Sequence, residues 1–195
     1  MTVGGLDVSR TDTRELARTM AVLRQDNQLT VRLTVRDLVS FGRFPHNGGR
    51  PTEADHRAVE KAIEWMDLEA LATRRLDQMS GGQRQRAFVA MVLAQDTPYV
   101  LLDEPLNNLD MTHATQMMRR LRAAADELGR TVVLVLHDVN YASVWADSIL
   151  ALRHGRVAAH GTPAQIMTTP VLEKIYGQAI TVREFDGHRL ALYYS

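Results

Sequence analysis

Tyr99-Val100-Leu101-Leu102-Asp103-Glu104-Pro105 is the stretch whose reading decides the fold. Four apolar residues run into two adjacent carboxylates, and a proline stops the run. A short continuous apolar run of this kind predicts a strand buried on both faces, as in a parallel sheet. Asp103 and Glu104 then stand at the strand's carboxyl end, where open α/β sheets place their ligands. Side chains alternate along a strand, so the two carboxylates diverge, and one can bind a cation while the other takes a proton from water. On these residues alone, an acidic turn after a strand explains the pattern equally well.

Working outward, Ser80-Gly81-Gly82-Gln83 opens a long helix through about Gln95, with Ala87, Phe88, Ala90, Met91 and Ala94 apolar. The first N–H groups of a helix are unpaired and its dipole favours negative charge, so two glycines there leave room for an anion. An ordinary Ser cap explains the same four residues. Downstream, Thr112 starts a helix with Met118, Leu121, Ala125 and Leu128 on one face, ended by Gly129. Thr131 to Leu136 reads as the next buried strand, with His137-Asp138 at its carboxyl end. A helix from about Val139 to Ala146 follows, then a hairpin turning at His154-Gly155. Thr162-Pro163 starts another helix, and Asp186-Gly187 turns a last hairpin with strands near Thr181–Phe185 and Arg189–Tyr194.

Upstream, Met1 to Val8 reads as a hairpin turning at Gly4-Gly5, Thr13 to Ala17 as a short helix, and Met20 to Leu23 as a strand leading into Arg24-Gln25-Asp26-Asn27. Thr34 caps a helix with Val35, Leu38, Val39 and Gly42 on one face. Phe44 to Thr52 reads as a loop, Thr52 starts a helix with Val59, Ala62, Ile63 and Met66 turned inward, and Leu68 to Arg75 reads as a shorter helix. Residues 34–79 are thus a helical block interrupting an α/β pattern. With the helix opened by Ser80, residues 34–95 form a helical subdomain within one domain, 1–195.

The chain has 195 residues, 23 Lys and Arg against 23 Asp and Glu, and no cysteine, which excludes disulfides, thiolate metal sites and Cys nucleophiles. Zero net charge gives no sign of a general nucleic-acid or anionic-membrane binder. Val132 to Leu136, the longest aliphatic run, is far short of the roughly 20 residues of a spanning helix. A soluble protein is expected, with any membrane role exercised through a partner.

The order Gln25, Ser80-Gly81-Gly82-Gln83, Asp103-Glu104, Asp110, His137 resembles that of the ATP-binding subunits of ABC transporters. Met79-Ser80-Gly81-Gly82-Gln83-Arg84-Gln85-Arg86 is similar to the family's signature motif, with Met where Leu is usual. Leu101 to Pro105 resembles the Walker B strand, Asn107-Asn108-Leu109-Asp110 the D-loop, Val135 to Asp138 the switch histidine, and Arg24-Gln25-Asp26 the Q-loop. Leu106 to Met111 and Ala90 to Asp96 look most like the iron–siderophore import ATPases. The resemblance implies a P-loop NTPase-like α/β core with an inserted helical subdomain, acting on ATP with Mg²⁺. It implies Asp103 and Gln25 on Mg²⁺, Glu104 as general base, and His137 at the γ-phosphate and water. Asp110 would couple two sites across a dimer. Ser80, Gly81 and Gly82, with Gln83 beside them, would close over nucleotide bound to the opposite subunit. The implied partners are a second ATP-binding subunit and a transmembrane permease, at the cytoplasmic face of the cell membrane, with no nucleic acid. The helix from Thr34 to Gly42 falls where the family docks its permease, although plain subdomain packing accounts for it equally.

The family's phosphate cradle, G-x-x-x-x-G-K-[ST], does not occur in the sequence, whose only lysines, Lys61 and Lys174, do not follow a glycine. Nor does the aromatic residue that stacks on adenine have a counterpart. Met1 to Val8 resembles the hairpin after the phosphate-loop helix, so the chain is expected to begin inside the domain, most simply through a gene model shortened at its 5′ end. A short subunit that needs a partner is the other reading. Either way, neighbouring strands should expose edges and apolar faces. The 195 residues alone are then not expected to hydrolyse ATP. Two alternatives stand beside the importer ATPase: a non-catalytic subunit lending Ser80 to Gln83 to a partner's site, and an ABC-type ATPase outside transport. The second lacks the coiled-coil insertions or basic extension expected of DNA-repair or translation factors. His46, His56, His113, His154, His160 and His188 lack metal-ligand spacing and read as surface or hairpin residues. Met117 and Met118 read as helix packing, and Arg119, Arg120 and Arg122 as a solvated face.

Overall fold

The computed structural model describes residues 1–25, 32–107 and 109–193; Asp26, Asn27, Asn108 and Tyr194, which the sequence reading used, lie outside them. The chain divides into two compact units, Met1–Val135 and Leu136–Ser195.

The first unit opens with the hairpin β1 (Thr2–Val3) and β2 (Leu6–Asp7), turning at Gly4 and Gly5, both at positive φ. Helix α1 (Thr13–Thr19), capped by the Asp12 carboxylate, runs into β3 (Met20–Leu23). A parallel sheet then forms in the order β3, β4 (Tyr99–Asp103), β5 (Thr131–Val135). Its register sets Leu101 between Val22 and Val133, and Asp103 opposite Val135. Ala21, Leu23, Val100 and Leu102 point into the core. The opposite face is open: Val22, Val133 and Val135 are 48%, 49% and 49% exposed. The strands expected to be buried on both faces are therefore buried on one, and β5 alternates between half-buried and exposed residues. The expected exposed apolar sheet surface is met at these three valines, and Asp103 stands at the end of that face.

Helices α2 (Val35–Phe41), α4 (Glu53–Trp65) and α5 (Gly81–Ala94) pack on one another, and α5 also packs on β3. Thr34 and Thr52 each close a capping box, with Asp37 and Asp55 three residues on. Val35, Leu38, Val39, Ile63, Met66 and Leu68 are fully buried, each worth about 1.5–3 kcal/mol for the surface removed from water. Gly42 is where α2 meets α5: a Cβ there would collide with the Met91 carbonyl oxygen. Arg43 lies almost wholly out of water beside it, donating to Asp55 at 2.9 Å and to the Ala94 carbonyl at 2.9 Å. The Thr52 backbone N–H, with help from Arg43 and against the cost of burial, holds the Asp55 carboxyl far below its ordinary range.

Several local readings are corrected here. The Phe44–Thr52 loop contains a short helix, α3 (Phe44–Asn47), because Pro45 suits a first turn and Gly48 supplies the left-handed stop. Within the span Leu68 to Arg75, expected as a helix, only Glu69–Leu71 coils, as a 3-10 turn; Thr34 bridges to Arg75 and draws the backbone there out of helix, and a second 3-10 turn, Leu76–Gln78, follows. Helix α6 (Met111–Leu128) begins one residue before Thr112, with Asp110 as its cap. Its buried face carries Ala114, Met117, Met118, Leu121 and Ala124 rather than Ala125 and Leu128. Arg120, expected in a solvated face, donates to the Trp65 carbonyl and the Asp67 carboxylate. Arg86 donates to the Met66 carbonyl at 3.1 Å, so two cations gather at the negative C-terminal end of α4.

The second unit begins with α7 (Val139–Trp145), capped by Asp138. Hairpin β6 (Ile149–Arg153) and β7 (Arg156–Gly161) turns at His154 and Gly155, both at positive φ as a two-residue turn requires. One expected helix is two, α8 (Pro163–Ile166) and α9 (Thr169–Tyr176). Hairpin β8 (Thr181–Phe185) and β9 (His188–Leu192) turns at Asp186-Gly187 as expected. The Asn140 amide ties α7 to β9, donating to and accepting from Ala191 at 3.2 and 2.7 Å. Among the described residues no helix is long and apolar enough to cross a membrane.

Candidate functional site

The carboxyl end of β4 gathers the chemistry. Glu104 leaves the strand at φ +50°, uncommon outside glycine, and is followed by buried Pro105. Its backbone N–H donates to the Val135 carbonyl at 3.2 Å, so the first residue of the turn is pinned to the neighbouring strand. Gln25, just past β3, donates its side-chain amide to Glu104 Oε2 at 2.7 Å. Asn107 donates to the same oxygen, and its own N–H meets the Glu104 carbonyl at 3.2 Å. The structure thus brings Gln25 and Glu104 together across 79 positions of sequence. Asp103, one residue earlier and half-buried, belongs to the open sheet face.

Ser80-Gly81-Gly82-Gln83 forms the start of α5. The Ser80 hydroxyl oxygen accepts from the Gln83 N–H at 3.2 Å, and Gln83 Oε1 accepts from the Ser80 N–H at 3.1 Å. This capping box leaves the Ser80 hydroxyl proton available to a ligand and does not use the N–H groups of Gly81 and Gly82. Gly82 is also tightly packed: a Cβ would lie 3.2 Å from Leu109 Cδ2 and 3.8 Å from His113 Cγ. Leu109 and His113 therefore pack against the glycine-rich turn.

Asp110 caps α6 by accepting from the His113 N–H at 2.8 Å, and it meets the His113 ring Nδ1 at 2.8 Å. The backbone bond first, and the ring bond second, hold its carboxyl below the ordinary value. His137 lies in the second unit, exposed, immediately ahead of Asp138 and α7.

Sequence reasoning missed two residues of this region. His113, expected at the surface, is partly exposed there and also partners Asp110, at the spacing of a helix cap and its N3 residue. Asn107 had no signal, because its partner depends on how the turn after Glu104 folds. Among the described residues no cluster of three or more His, Asp or Glu could hold a metal by itself. Asp103 and Gln25 offer one carboxylate and one amide oxygen, a hard donor set that suits Mg²⁺, which keeps waters and takes other ligands from nucleotide phosphates.

Residues 1–107 match the family model described as ABC transporter. Over 193 residues the chain is 49% identical to the petrobactin import ATP-binding protein YclP of Bacillus subtilis, covering 99% of this chain and 77% of that one. It is 42% identical to the ferric enterobactin transport ATP-binding protein FepC of Escherichia coli, covering 84% of this chain and 61% of that one. In structure it is similar to a metal-chelate type ABC transporter in an inward-facing conformation, with a TM-score of 0.81 at 25% identity, covering 90% of this chain and 73% of that one. A dimeric post-hydrolysis state of the ATP-binding cassette MJ0796, bound to ADP and Pi, matches with a TM-score of 0.71 at 27% identity over 83% of this chain and 72% of that one.

Proposed function

The chain belongs to the ABC transporter ATP-binding family, and from that premise we propose that it is the ATP-hydrolysing subunit of an importer of iron–siderophore complexes. It works against a second ATP-binding subunit and beneath a transmembrane permease, at the cytoplasmic face of the membrane. The cargo class rests on the petrobactin and enterobactin relatives. The observation that carries the enzymatic reading is the meeting of Gln25 with Glu104 at 2.7 Å, at the end of the strand that also carries Asp103.

Glu104 is the general base. Its carboxylate is held at a turn pinned to β5, ready to accept a proton from the water that attacks the γ-phosphate. Asp103, with Gln25 as a second oxygen, would hold Mg²⁺, which when bound supplies positive charge at the phosphates. Gln25 also carries the Glu104 bond, so it reports which ligand holds it. His137 steadies charge developing on the γ-phosphate. Ser80, Gly81 and Gly82, flanked by Gln83, present a hydroxyl and helix-start N–H groups to the γ-phosphate held by the opposite subunit. Asp110, bonded to His113 and following Leu109, which rests on Gly82, links that contact to the dimer interface.

Since G-x-x-x-x-G-K-[ST] does not occur in these 195 residues, a polypeptide of this sequence alone should hydrolyse no more ATP than its Glu104→Gln version. Glu104-dependent turnover by that polypeptide would sink this expectation. The self-contained turn at Ser80 favours a second reading, in which the chain lends its signature to a partner's nucleotide. Mixing it with YclP tests this: a gain in ATPase abolished by Ser80→Arg supports lending, and no gain ends it. The transport reading is tested in cells by uptake of ⁵⁵Fe-labelled siderophores, which Glu104→Gln in the chromosomal copy should stop.

A further inference from the structure

Two side-chain amides converge on one carboxylate oxygen, Glu104 Oε2: Gln25 Nε2 at 2.7 Å and the Asn107 amide. A carboxylate oxygen has lone pairs for both. The two donors differ in how they are attached. Gln25 reaches Glu104 from the far end of β3, 79 positions away, and nothing in the turn obliges it to stay. Asn107 belongs to the same turn, which is closed by its own N–H on the Glu104 carbonyl at 3.2 Å and stiffened by Pro105. At its other end the turn is pinned by the Glu104 N–H on Val135. Asn107 therefore moves with Glu104, and Gln25 need not.

We infer that Asn107 is a positioning residue for the Glu104 carboxylate, keeping it in place when Gln25 lets go to meet the nucleotide. The inference rests on the reading of Glu104 as general base. A neutral amide suits the task, because it orients a carboxylate without neutralising the charge that accepts the proton. Sequence position alone does not give this role, since residues three apart meet only if the turn closes as it does here.

Two measurements test it. Side-chain scalar couplings of Glu104, read by NMR in the 195-residue polypeptide, report whether its rotamer is fixed. Gln25→Ala should leave the rotamer distribution of Glu104 narrow, Gln25→Ala with Asn107→Ala should broaden it, and Asn107→Ser on the Gln25→Ala background should restore most of the order. In the assembled transporter, Asn107→Ala should lower kcat roughly 10-fold with KM for ATP within about twofold, as displacement of a catalytic group does. Asn107→Ser should recover most of that loss. A Glu104 rotamer distribution no broader in the double variant than in Gln25→Ala overturns the inference, whatever turnover does. An averaged rotamer with undiminished turnover leaves the clamp standing and overturns Glu104 as the base.

Discussion

The turn at Ser80 and the turn at Glu104 are built on opposite principles. At Ser80 the groups that fix the backbone lie three residues apart: the Ser80 hydroxyl accepts from the Gln83 backbone N–H and the Gln83 side-chain oxygen from the Ser80 backbone N–H. At Glu104 the backbone is strained, the N–H is held by a neighbouring strand, and the side chain is held partly from Gln25, 79 positions away. The first turn can form as soon as its helix does, whereas the second needs the sheet assembled. On the proposed reading, phosphate recognition would rest on a local device, whereas positioning a general base would need the rigid frame that the parallel pairing of β3, β4 and β5 supplies.

The largest effect should come from the turn that depends on the whole sheet. Glu104→Gln in an assembly that turns over should cost roughly 10²–10⁴-fold in kcat while leaving the thermal midpoint nearly unchanged. A lowered midpoint with intact turnover would make the turn structural only. Next comes the anchor of α5, whose C-terminal carbonyl at Ala94 is held by Arg43. Asp55→Asn leaves that buried guanidinium without its counter-charge and should cost about 3–5 kcal/mol in urea unfolding. A cost near zero would mean that the Ser80 helix is held by local bonds alone.

The same carboxylate sets an acid dependence. The fold favours the ionised Asp55, so its contribution is whole above the ordinary carboxyl range and is lost as pH falls through the depressed folded value. Unfolding midpoints of the wild type should drop below about pH 4 more steeply than those of Asp55→Asn. Smaller still is the cap. Ser80→Ala should cost about 1 kcal/mol and Ser80→Gly only a few tenths, since glycine also caps. The smallest net change is expected at Gly82. Alanine in a helix gains about 1 kcal/mol over glycine, and the push of its Cβ on Leu109 at 3.2 Å should cancel most of that. Denaturation measures the balance, and a full gain would show that Leu109 does not press on the turn.

Much of the fold was legible because its signals are short-range. Thr34, Thr52 and Ser80 announce their helices, and Gly4-Gly5, His154-Gly155 and Asp186-Gly187 announce their turns, each through bonds or backbone angles within a few residues. Illegible parts were set by partners far along the chain. The bridge from Thr34 to Arg75 left only a 3-10 turn where a helix was expected, and Arg120 left its solvated face for the end of α4. Burial was misjudged on the sheet because an apolar run shows that a strand is apolar, not how many of its faces are covered. In the candidate site, Glu104, Gln25 and Ser80 stood out by motif, whereas Asn107 and His113 did not.

By itself the sequence determined the elements and their order, the capped turn at Ser80 and the placing of two carboxylates at a strand end, because capping, turn chemistry and periodicity act between neighbours. Only the tertiary structure decided that Gln25 and Asn107 share one oxygen of Glu104, that Leu109 rests on Gly82, and that Val22, Val133 and Val135 face outward. Those relations join residues through strand register and helix packing, and no rule of nearest neighbours encodes a distance across a sheet.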